Sequence, residues 1–577
     1  MSTKYLRNYF VEEGQMNKRY LLMFIGFLII ISTLLVGCPA ATTTSPSPTA
    51  ASPTPTVAQN FVTNLAGEPA TIDPNKASWA NQLSIIFQVF RGLLGFKADL
   101  SLEAVTATEI PSTSNGGISA DGLTYTFKLR PDVTWSDGKK VVAKDYEYSI
   151  KRMLSPEIAS EYASFYFDIA GAADYNASAD KDAGAKASLR GAIGVKALND
   201  STLEIKLAQP RPTFLQIMAL WPAYPVREDI ITQFGDQWTE APNYIGNGPF
   251  IMTEWVHQDH FTFKPNPNYW GSDKAKLSAM TYKMITDQQA GLAAYKNNEL
   301  QLSQIPAGSE KATLADPALS KEIVRYNLLQ TWAFQFNVTK APFDNKLVRQ
   351  AFSCAIDRAA FINNVRGGVG KVAYSWIPPG MPGYDANLGK DYDFNPTKAK
   401  DLLAQAGYSD ISKLPAITFT YSNTGQNPTI AQFLQGQIKD NLGITITLDP
   451  QEPKAAVQFI NAGKHQWAWF GWGADYPDPD NWLPDVFGTG GGNNHTLYSN
   501  PQFDTLAAQA KKELDNTKRL QMWADAQKMV MDDAPIITAF YQERLWLLKP
   551  GVKGLQTTGM DGQIPGDHFY FQLNIAQ

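Results

Sequence analysis

The stretch Asp121-Gly122-Leu123-Thr124-Tyr125-Thr126-Phe127-Lys128-Leu129-Arg130 indicates most directly how this chain folds. An Asp-Gly turn signal opens it, and apolar and polar side chains then alternate from Thr124 to Leu129, as in a half-buried β-strand. Ala143 to Leu154 follows as a predicted helix. Asp145 lies in its first turn and Lys151-Arg152 near its end, where these charges favour the helix dipole. A strand and a helix in close succession predict a mixed α/β protein.

Strands and helices continue to alternate along the rest of the chain. Thr202 to Leu207 and Ile444 to Leu448 have the alternation of strands, and Trp255 to Lys264 has that of a hairpin. Lys398 to Ala406 has helical spacing and ends before Gly407, a residue type that favours helix C-termini. With 577 residues, the chain is long enough for an α/β fold with several lobes.

The N-terminal residues have the layout of an export signal. Lys18-Arg19 precedes an apolar run from Tyr20 to Val36, which ends at Leu35-Val36-Gly37-Cys38. These four residues resemble the lipobox of bacterial lipoproteins, so we expect Cys38 to be lipidated. The alternative is a transmembrane anchor, because the run is almost long enough to span a membrane.

Residues 1–38 are therefore predicted to be a lipoprotein signal peptide, with Met16 as the true start, because Met1 to Gln15 fits no signal. Residues 39–59 consist almost entirely of Thr, Ser, Pro and Ala, and such a tract cannot bury apolar area. We expect it to be a disordered tether. The mature protein would be extracytoplasmic and lipid-anchored to the cell membrane, in the periplasm or at the outer face.

The charge balance and the cysteines exclude several classes of protein. With 50 basic and 55 acidic residues and no basic patch, the chain does not have the character of a nucleic-acid-binding protein. Cys354 is the one cysteine besides Cys38, so no internal disulfide is expected. Because it falls in a helical pattern, we predict that Cys354 is a buried core residue.

The sequence lacks the common catalytic motifs. The sequence contains no His-Glu-x-x-His, no Gly-x-Ser-x-Gly and no Gly-x-x-x-x-Gly-Lys-Ser/Thr. His257 and His260 are three apart in the predicted hairpin, where their side chains face opposite sides, which favours a solvated turn over a metal site. We therefore predict no enzyme, no catalytic residue, no metal and no cofactor.

The segment Gly471-Trp472-Gly473-Ala474-Asp475-Tyr476-Pro477-Asp478-Pro479-Asp480-Asn481-Trp482 places acidic groups among aromatic rings. A carboxylate such as Asp475, with rings excluding water around it, can bind an ammonium group. The alternative is that Asp475 caps a turn, as aspartate often does. The segment favours a protein that binds a ligand and leaves it unchanged.

Motifs in a fixed order resemble one family over nearly the whole chain from Phe61 onward, that of the oligopeptide-binding proteins. These are the family 5 extracytoplasmic solute-binding proteins of ABC importers. The matching stretches are Glu68-Pro69-Ala70-Thr71-Ile72-Asp73-Pro74, Phe90-Arg91-Gly92-Leu93-Leu94, residues 121–130, Trp135-Ser136-Asp137-Gly138, Ala143-Lys144-Asp145, Asn247-Gly248-Pro249-Phe250, Asn266-Pro267-Asn268-Tyr269-Trp270, Ala341-Pro342-Phe343-Asp344, Val348-Arg349-Gln350-Ala351 and Ile356-Asp357-Arg358.

The resemblance implies a two-lobed periplasmic-binding-protein fold, type II-like, with a hinge between the lobes and the ligand enclosed between them. It also implies three domains, of which the first is discontinuous. By this resemblance, domain I comprises residues 60–103, 226–328 and 541–577, domain II residues 104–225, and domain III residues 329–540.

The resemblance further implies the function and the site. A family aspartate in a Trp-x-Ala-Asp-Tyr segment binds the ligand's terminal ammonium, and Asp475 matches it. The implied partners are an oligopeptide, an ABC permease with its ATPase subunits and, through the lipid, a membrane; the protein is expected to be a monomer. The residues implied to bind ligand are Tyr162, Trp469, Gly471, Trp472, Gly473, Asp475 and Tyr476.

The chain departs from the family at the other end of the ligand. Relatives that bind peptides of fixed length use basic side chains and a histidine to hold the ligand's carboxylate. Here the matching positions are Trp469, Ile460 and the region from Asn423 to Asn427, so the basic side chains and the histidine that hold the ligand's carboxylate are absent. Trp221 and Trp332 are expected to be packing residues.

That departure leaves a second hypothesis open, in which the same fold binds oligosaccharides or another small solute. Four tryptophans could stack on sugar rings, although aromatic residues are also ordinary core material. Retention of Asp475 favours a peptide, since a neutral sugar needs no single buried anion. A surface enzyme or a non-transport interaction protein is a third hypothesis. The tryptophans concerned are Trp467, Trp469, Trp472 and Trp482.

Overall fold

The computed structural model of the chain describes residues 58–576. The predicted signal peptide, Cys38 and the tether up to Val57 lie outside the described residues. Between residues 58 and 576, no helix has the length and apolar character needed to cross a membrane.

Eighteen β-strands form the sheets of the described chain. They are β1 (Asn60–Asn64), β2 (Leu94–Phe96), β3 (Leu102–Ala104), β4 (Thr124–Lys128), β5 (Val195–Asn199), β6 (Thr202–Lys206), β7 (Phe250–Val256), β8 (His260–Pro265), β9 (Ala279–Lys283), β10 (Leu302–Gln304), β11 (Ile323–Phe336), β12 (Lys371–Val372), β13 (Thr418–Ser422), β14 (Thr447–Gln451), β15 (Trp467–Gly473), β16 (Ile536–Leu548), β17 (Val552–Lys553) and β18 (Asn574–Ile575).

Sixteen α-helices of the described chain alternate with these strands. They are α1 (Ala80–Val89), α2 (Ala143–Met153), α3 (Ala172–Asn176), α4 (Ala183–Ala192), α5 (Phe214–Ile217), α6 (Glu228–Phe234), α7 (Gln288–Lys296), α8 (Glu310–Ala315), α9 (Lys346–Cys354), α10 (Arg358–Asn364), α11 (Pro396–Gln405), α12 (Asn427–Leu442), α13 (Pro453–Asn461), α14 (Pro484–Phe487), α15 (Pro501–Ala510) and α16 (Asn516–Asp533).

One large mixed sheet runs through the molecule in the order β14-β13-β15-β11-β16-β10-β1-β9-β8-β7, with β12 also pairing with β16. A separate three-stranded sheet has the order β4-β6-β5. We call the part containing β1 to β10 and the C-terminal strands β17 and β18 the first lobe. The part containing β12 to β15 and α9 to α16 is the second lobe.

The two lobes are joined through β11 and β16, the longest strands of the described chain. One part of β16 pairs with β10 of the first lobe, and β11 pairs with β15 of the second lobe. The register between β11 and β16 shifts between Asn327 and Thr331, close to where the strands pass from one lobe to the other. The predicted mixed α/β, two-lobed fold is confirmed.

Most of the predicted elements are confirmed. The alternating stretches at 124–129 and 202–207 are β4 and β6, and Ala143 to Leu154 is α2. The Asp145 carboxylate accepts the Val142 N–H at 3.0 Å, so it caps the helix start. Gly407 has φ +93°, as a helix C-terminus favours, and Cys354 is fully buried.

Two predicted boundaries are displaced. The predicted strand Ile444 to Leu448 is wrong in position, because ladder pairing begins only at Thr447. Ile444 and Ile446 are buried in the second lobe's core before the strand starts, so their alternation marks burial and not strand pairing. The helix predicted from Lys398 begins at Pro396, because the Asn395 side chain accepts the Lys398 N–H at 3.0 Å.

The predicted hairpin around the two histidines is confirmed as β7 and β8. His257 Nδ1 lies 2.8 Å from Glu68 Oε1, and His260 Nδ1 lies 2.6 Å from Asp259 Oδ2. Among the residues from 58 to 576, no group of three or more histidine, cysteine or acidic side chains has a metal-binding arrangement.

Candidate functional site

A cavity of about 280 Å³ lies between the lobes, beside the place where β11 and β16 pass from one lobe to the other. The first lobe contributes Tyr162 and Trp221, and the second contributes Asp475. Gln330 on β11 and Arg544 on β16 also line this cavity. We call this space the acidic chamber, because the Asp475 carboxylate is part of its lining.

Asp475 is held from both lobes by neutral donors. The Tyr162 hydroxyl donates to Oδ1 at 2.8 Å, and Asn481 Nδ2 donates to Oδ2 at 3.0 Å. The backbone N–H of Asp475 donates in return to Asn481 Oδ1 at 2.8 Å. Burial raises the pKa of the Asp475 carboxyl, and these two side-chain bonds oppose the rise only in part.

The other two acids of the segment differ from Asp475 in having arginine partners. Arg519 binds Asp478 through two parallel bonds of 2.8 Å, and Arg211 Nη2 lies 2.6 Å from Asp480 Oδ2. Within residues 58–576, no lysine, arginine or histidine lies within 4.0 Å of the Asp475 carboxylate. Asp475 is therefore the acid of this segment whose charge the described chain leaves unpaired.

The alternative that Asp475 caps a turn does not fit these contacts. The cap of the following 3₁₀ turn is Asp478, whose Oδ1 accepts the Asp480 N–H at 3.0 Å. Both Asp475 oxygens accept from side chains. The carboxylate is thus oriented toward the space between the lobes by Tyr162 and Asn481.

The local sequence explains why this turn sits where it does. β15 pairs with β11 up to Gly473, which lies opposite Gln330. At Gly471 a Cβ atom would lie 2.7 Å from the ring of Trp332, so only glycine permits that ring to pack on the strand. The chain then leaves the sheet at Ala474, whose N–H donates to Leu329 O at 2.9 Å.

Of the seven residues predicted to bind ligand, Tyr162, Gly473 and Asp475 line the acidic chamber. The remaining four are all described and are not part of its lining. Trp469 stacks on Trp332 with ring centroids 5.3 Å apart, and Trp472 packs into the second lobe's core. Tyr476 is buried, and its hydroxyl donates to Asp480 at 2.9 Å.

The tryptophans differ from the sequence-based prediction in two ways. Trp467 and Trp482, considered as sugar platforms, are fully buried. Trp221 packs edge to face against Tyr162 as predicted, with ring centroids 4.6 Å apart. It also lines the acidic chamber. Trp332 likewise lines a cavity.

A second cavity of about 250 Å³ adjoins the first, and Gln330 and Arg544 line both. We call it the basic chamber, because Arg366 also faces it. Within residues 58–576, neither arginine has a carboxylate within 4.0 Å. The two chambers therefore share Gln330 and Arg544, with Asp475 in the lining of the first and Arg366 in that of the second. Glu310 and Glu543 also line the second chamber.

Arg366 is held by contacts with uncharged groups, and the negative charge of Glu310 acts on it from a distance. Its Nη1 donates to Gln426 Oε1 at 2.6 Å, and its guanidinium lies 4.7 Å from the centre of the Phe540 ring. Its Nε is buried without a partner among the described residues, and burial lowers the pKa of Arg366. Arg544 Nη1 donates to Gly562 O at 2.9 Å.

Sequence reasoning missed both arginines. Arg366 lies in a Gly-rich loop after α10 and Arg544 in the middle of β16, with no motif around either. Only the assembled cleft shows that basic groups line the space beyond Asp475, although Trp469 and Ile460 occupy the positions where they were sought.

Comparisons with known proteins agree with this architecture. The family model "Bacterial extracellular solute-binding proteins, family 5 Middle" matches residues 109–494. The oligopeptide-binding protein OppA of Bacillus subtilis (strain 168) is 32% identical over 517 residues, which cover 88% of this chain and 92% of that protein. The probable deoxycholate-binding periplasmic protein YgiS of Escherichia coli (strain K12) is 30% identical over 501 residues, covering 86% and 90%.

Solved structures are similar as well. The crystal structure of Haemophilus influenzae OppA in complex with RPPGFSPFR matches with a TM-score of 0.71 and 26% identity. The match covers 90% of this chain and 100% of that one.

Proposed function

Because the chain belongs to family 5 of the bacterial extracellular solute-binding proteins, we propose that it is the substrate-binding component of a peptide ABC importer. In this proposal it captures extended oligopeptides between its lobes and delivers them to the permease. Such a component binds its cargo and releases it unchanged, so it performs no catalysis.

The observation that carries the proposal is the unpaired carboxylate of Asp475 in the wall of the cleft. Asp475 is partly buried, and the loss of water around its carboxyl raises its pKa, so a cationic partner would stabilise the charged form. A peptide's terminal ammonium supplies the missing charge and further donors. All peptides share that group and the backbone donors and acceptors, so one site of this kind accepts many sequences.

We further propose that the basic chamber receives the carboxylate end of the peptide. Arg366 and Arg544 line it, and neither has a carboxylate partner within 4.0 Å in the described chain. Two acids, Glu310 and Glu543, also line it, and Glu543 is already paired with Arg325 at 3.1 Å. Gln330 lines both chambers, and Trp332 lines the basic one. A zwitterionic ligand with its charges at opposite ends fits this polarity.

Replacing Arg366 by glutamine tests the basic end. We expect peptides with a free carboxyl terminus to bind about tenfold more weakly, since one charge-assisted bond is lost. Peptides amidated at that end should bind the variant and the wild type alike. Fluorescence titration with each pair of alanine peptides measures both.

The matched control is Arg130→Gln. Arg130 lines neither chamber, is partly exposed and is already paired with Asp132 at 2.8 Å. Its loss should leave both affinities unchanged. An equal loss for free and amidated peptides in Arg366→Gln would contradict the proposed carboxylate contact.

Two other ligand classes fit less well. An oligosaccharide offers no cation for Asp475, and Trp467 and Trp482 are buried in the core. A bile acid such as deoxycholate, which the name of one relative suggests for that relative, offers a carboxylate for Arg366 but no cation for Asp475. The peptide alone matches both charged ends.

Calorimetry with three classes of ligand tests the function directly. The protein is first unfolded in guanidinium and refolded to remove co-purified ligand. We expect alanine peptides of three to five residues to bind with a Kd in the micromolar range or below, and maltotriose and deoxycholate to give no heat. Binding of maltotriose or deoxycholate without peptide binding would refute the proposal.

We also propose where the protein acts. The signal-like run and Cys38 support export and lipid attachment, which would hold the protein at the outer side of the cell membrane, near its permease. Retention of the wild type but not of Cys38→Ser in washed membranes checks this.

The domain bounds given above, with domain I at 60–103, 226–328 and 541–577, are part of the same proposal.

A further inference from the structure

A buried network of charged and hydroxyl groups connects the two lobes beside the acidic chamber. Arg211 of the first lobe lies at its centre, with Nη1 2.9 Å from Asp168 Oδ2 and Nη2 2.6 Å from Asp480 Oδ2. Asp168 belongs to the first lobe and Asp480 to the second. The Arg211 and Asp480 side chains are more than nine-tenths buried.

Hydroxyl groups from both lobes add to the network at Asp480 Oδ2, while Oδ1 is buried without a hydrogen-bond partner among the described residues. Thr213 of the first lobe and Tyr476 of the second each donate to Asp480 Oδ2 at 2.9 Å. The Tyr476 ring also meets Phe165 of the first lobe edge to face, with centroids 6.1 Å apart. Every one of these contacts joins residues of the chain itself, so none of them requires a ligand.

We propose that Arg211 and Asp480 form a clamp between the lobes that favours the closed arrangement and positions the ammonium site. Asp480 lies next to Asn481, which donates to Asp475, and Tyr162 donates to the same carboxylate from the first lobe. Forming the clamp therefore also brings together the two halves of the site.

The network is suited to open and close because each half is stable alone. When the lobes separate, Arg211 keeps its bond to Asp168, and Gln209 still donates to Asp168 at 2.6 Å. Asp480 becomes hydrated and keeps the Tyr476 hydroxyl from its own lobe. The clamp thus leaves no buried charge unpaired in the open arrangement, which keeps the two arrangements close in free energy.

Asp480→Asn tests the clamp, with Asp478→Asn as the matched control. Asp478 is two residues away and equally buried, but its arginine partner, Arg519, belongs to the same lobe. In small-angle X-ray scattering of the refolded, peptide-free proteins, we expect Asp480→Asn to have a larger radius of gyration than the wild type. Asp478→Asn should match the wild type, although it melts at a lower temperature.

A kinetic measurement uses pentaalanine as the probe. We expect it to dissociate about tenfold faster from Asp480→Asn, because loss of one partner in a buried charge pair acts mainly on dissociation. Asp478→Asn should dissociate at the wild-type rate.

If Asp480→Asn does not fold, Thr213→Val removes one neutral donor and should change the radius of gyration and the dissociation rate in the same direction by less. Equal radii for the wild type and the Asp480 or Thr213 variants, or equal changes in Asp478→Asn, would overturn the proposal. The scattering measurement needs no ligand, so its outcome is independent of whether the cargo is a peptide.

Discussion

Asp475→Ala is expected to bind peptides with a free amino terminus at least about a hundredfold more weakly than the wild type. The wild-type carboxylate is held by Tyr162 and Asn481 at 2.8 and 3.0 Å, ready to accept an ammonium. A charge-assisted bond contributes about 1.5–3 kcal/mol, and the ammonium left unpaired in the closed cleft adds its own cost. Isothermal titration calorimetry with alanine peptides measures the loss.

Stability should respond in the opposite sense. Burial raises the pKa of Asp475, so at neutral pH the charged form is disfavoured in the folded protein. The neutral and similarly shaped Asp475→Asn should therefore melt at the same temperature as the wild type or higher. A lower melting temperature together with unchanged affinity would show that Asp475 is a structural residue.

N-acetylated peptides separate the amine contact from other effects of the substitution. Acetylation removes the ammonium, so the wild type should bind the acetylated peptide as weakly as Asp475→Ala binds the free one. Asp475→Ala should bind the acetylated peptide at least as well as the free one, because acetylation removes an ammonium that has no partner in this variant. If acetylation weakened binding to both proteins by the same factor, the ammonium partner would have to be another residue.

The parts of this molecule that could be predicted from sequence are those governed by neighbouring residues. The alternation at Thr124 and the caps of α2 and α11 depend on side chains within a few positions, and these elements are present. The lobes, the hinge and the role of Asp475 came from the resemblance. Chain chemistry alone did not distinguish Asp475 from Asp478 or Asp480.

What distinguishes those three acids is contact over long sequence separations. Arg211 reaches Asp480 and Arg519 reaches Asp478, while Tyr162, 313 residues away, gives Asp475 only a neutral donor. The resemblance implied that Trp469 binds ligand, yet its ring packs on Trp332. Such pairings depend on how the strands assemble, which no local pattern specifies.

Acid should destabilise the second lobe through two buried histidines. Burial lowers the pKa of His465 and of His495 to about 4, and positive charge on the nearby His495 and Lys340 also lowers the pKa of His465. Neither ring nitrogen of His465 has a partner among the described residues. The unfolded chain takes up protons near pH 6.5, while the folded state does not until about pH 4. Stability contributed by neutral His465 is thus complete above pH 6.5 and is lost as the pH falls toward 4.

The variant His465→Leu separates the contribution of His465 from that of acids that titrate in the same pH range. Asp485 and Asp561 have a pKa raised by burial to about 6, so their protonation opposes the histidine effect in the wild type. The difference between the unfolding free energies of the wild type and His465→Leu should therefore be followed as a function of pH. We expect the wild type to lose on the order of 2 kcal/mol relative to the variant between pH 7 and 5.

His257→Leu is the control. Acidic partners raise the pKa of the exposed His257, so its contribution to stability increases as the pH falls. Parallel pH profiles for the wild type and His465→Leu in urea titrations would mean that His465 is already solvated in the folded protein.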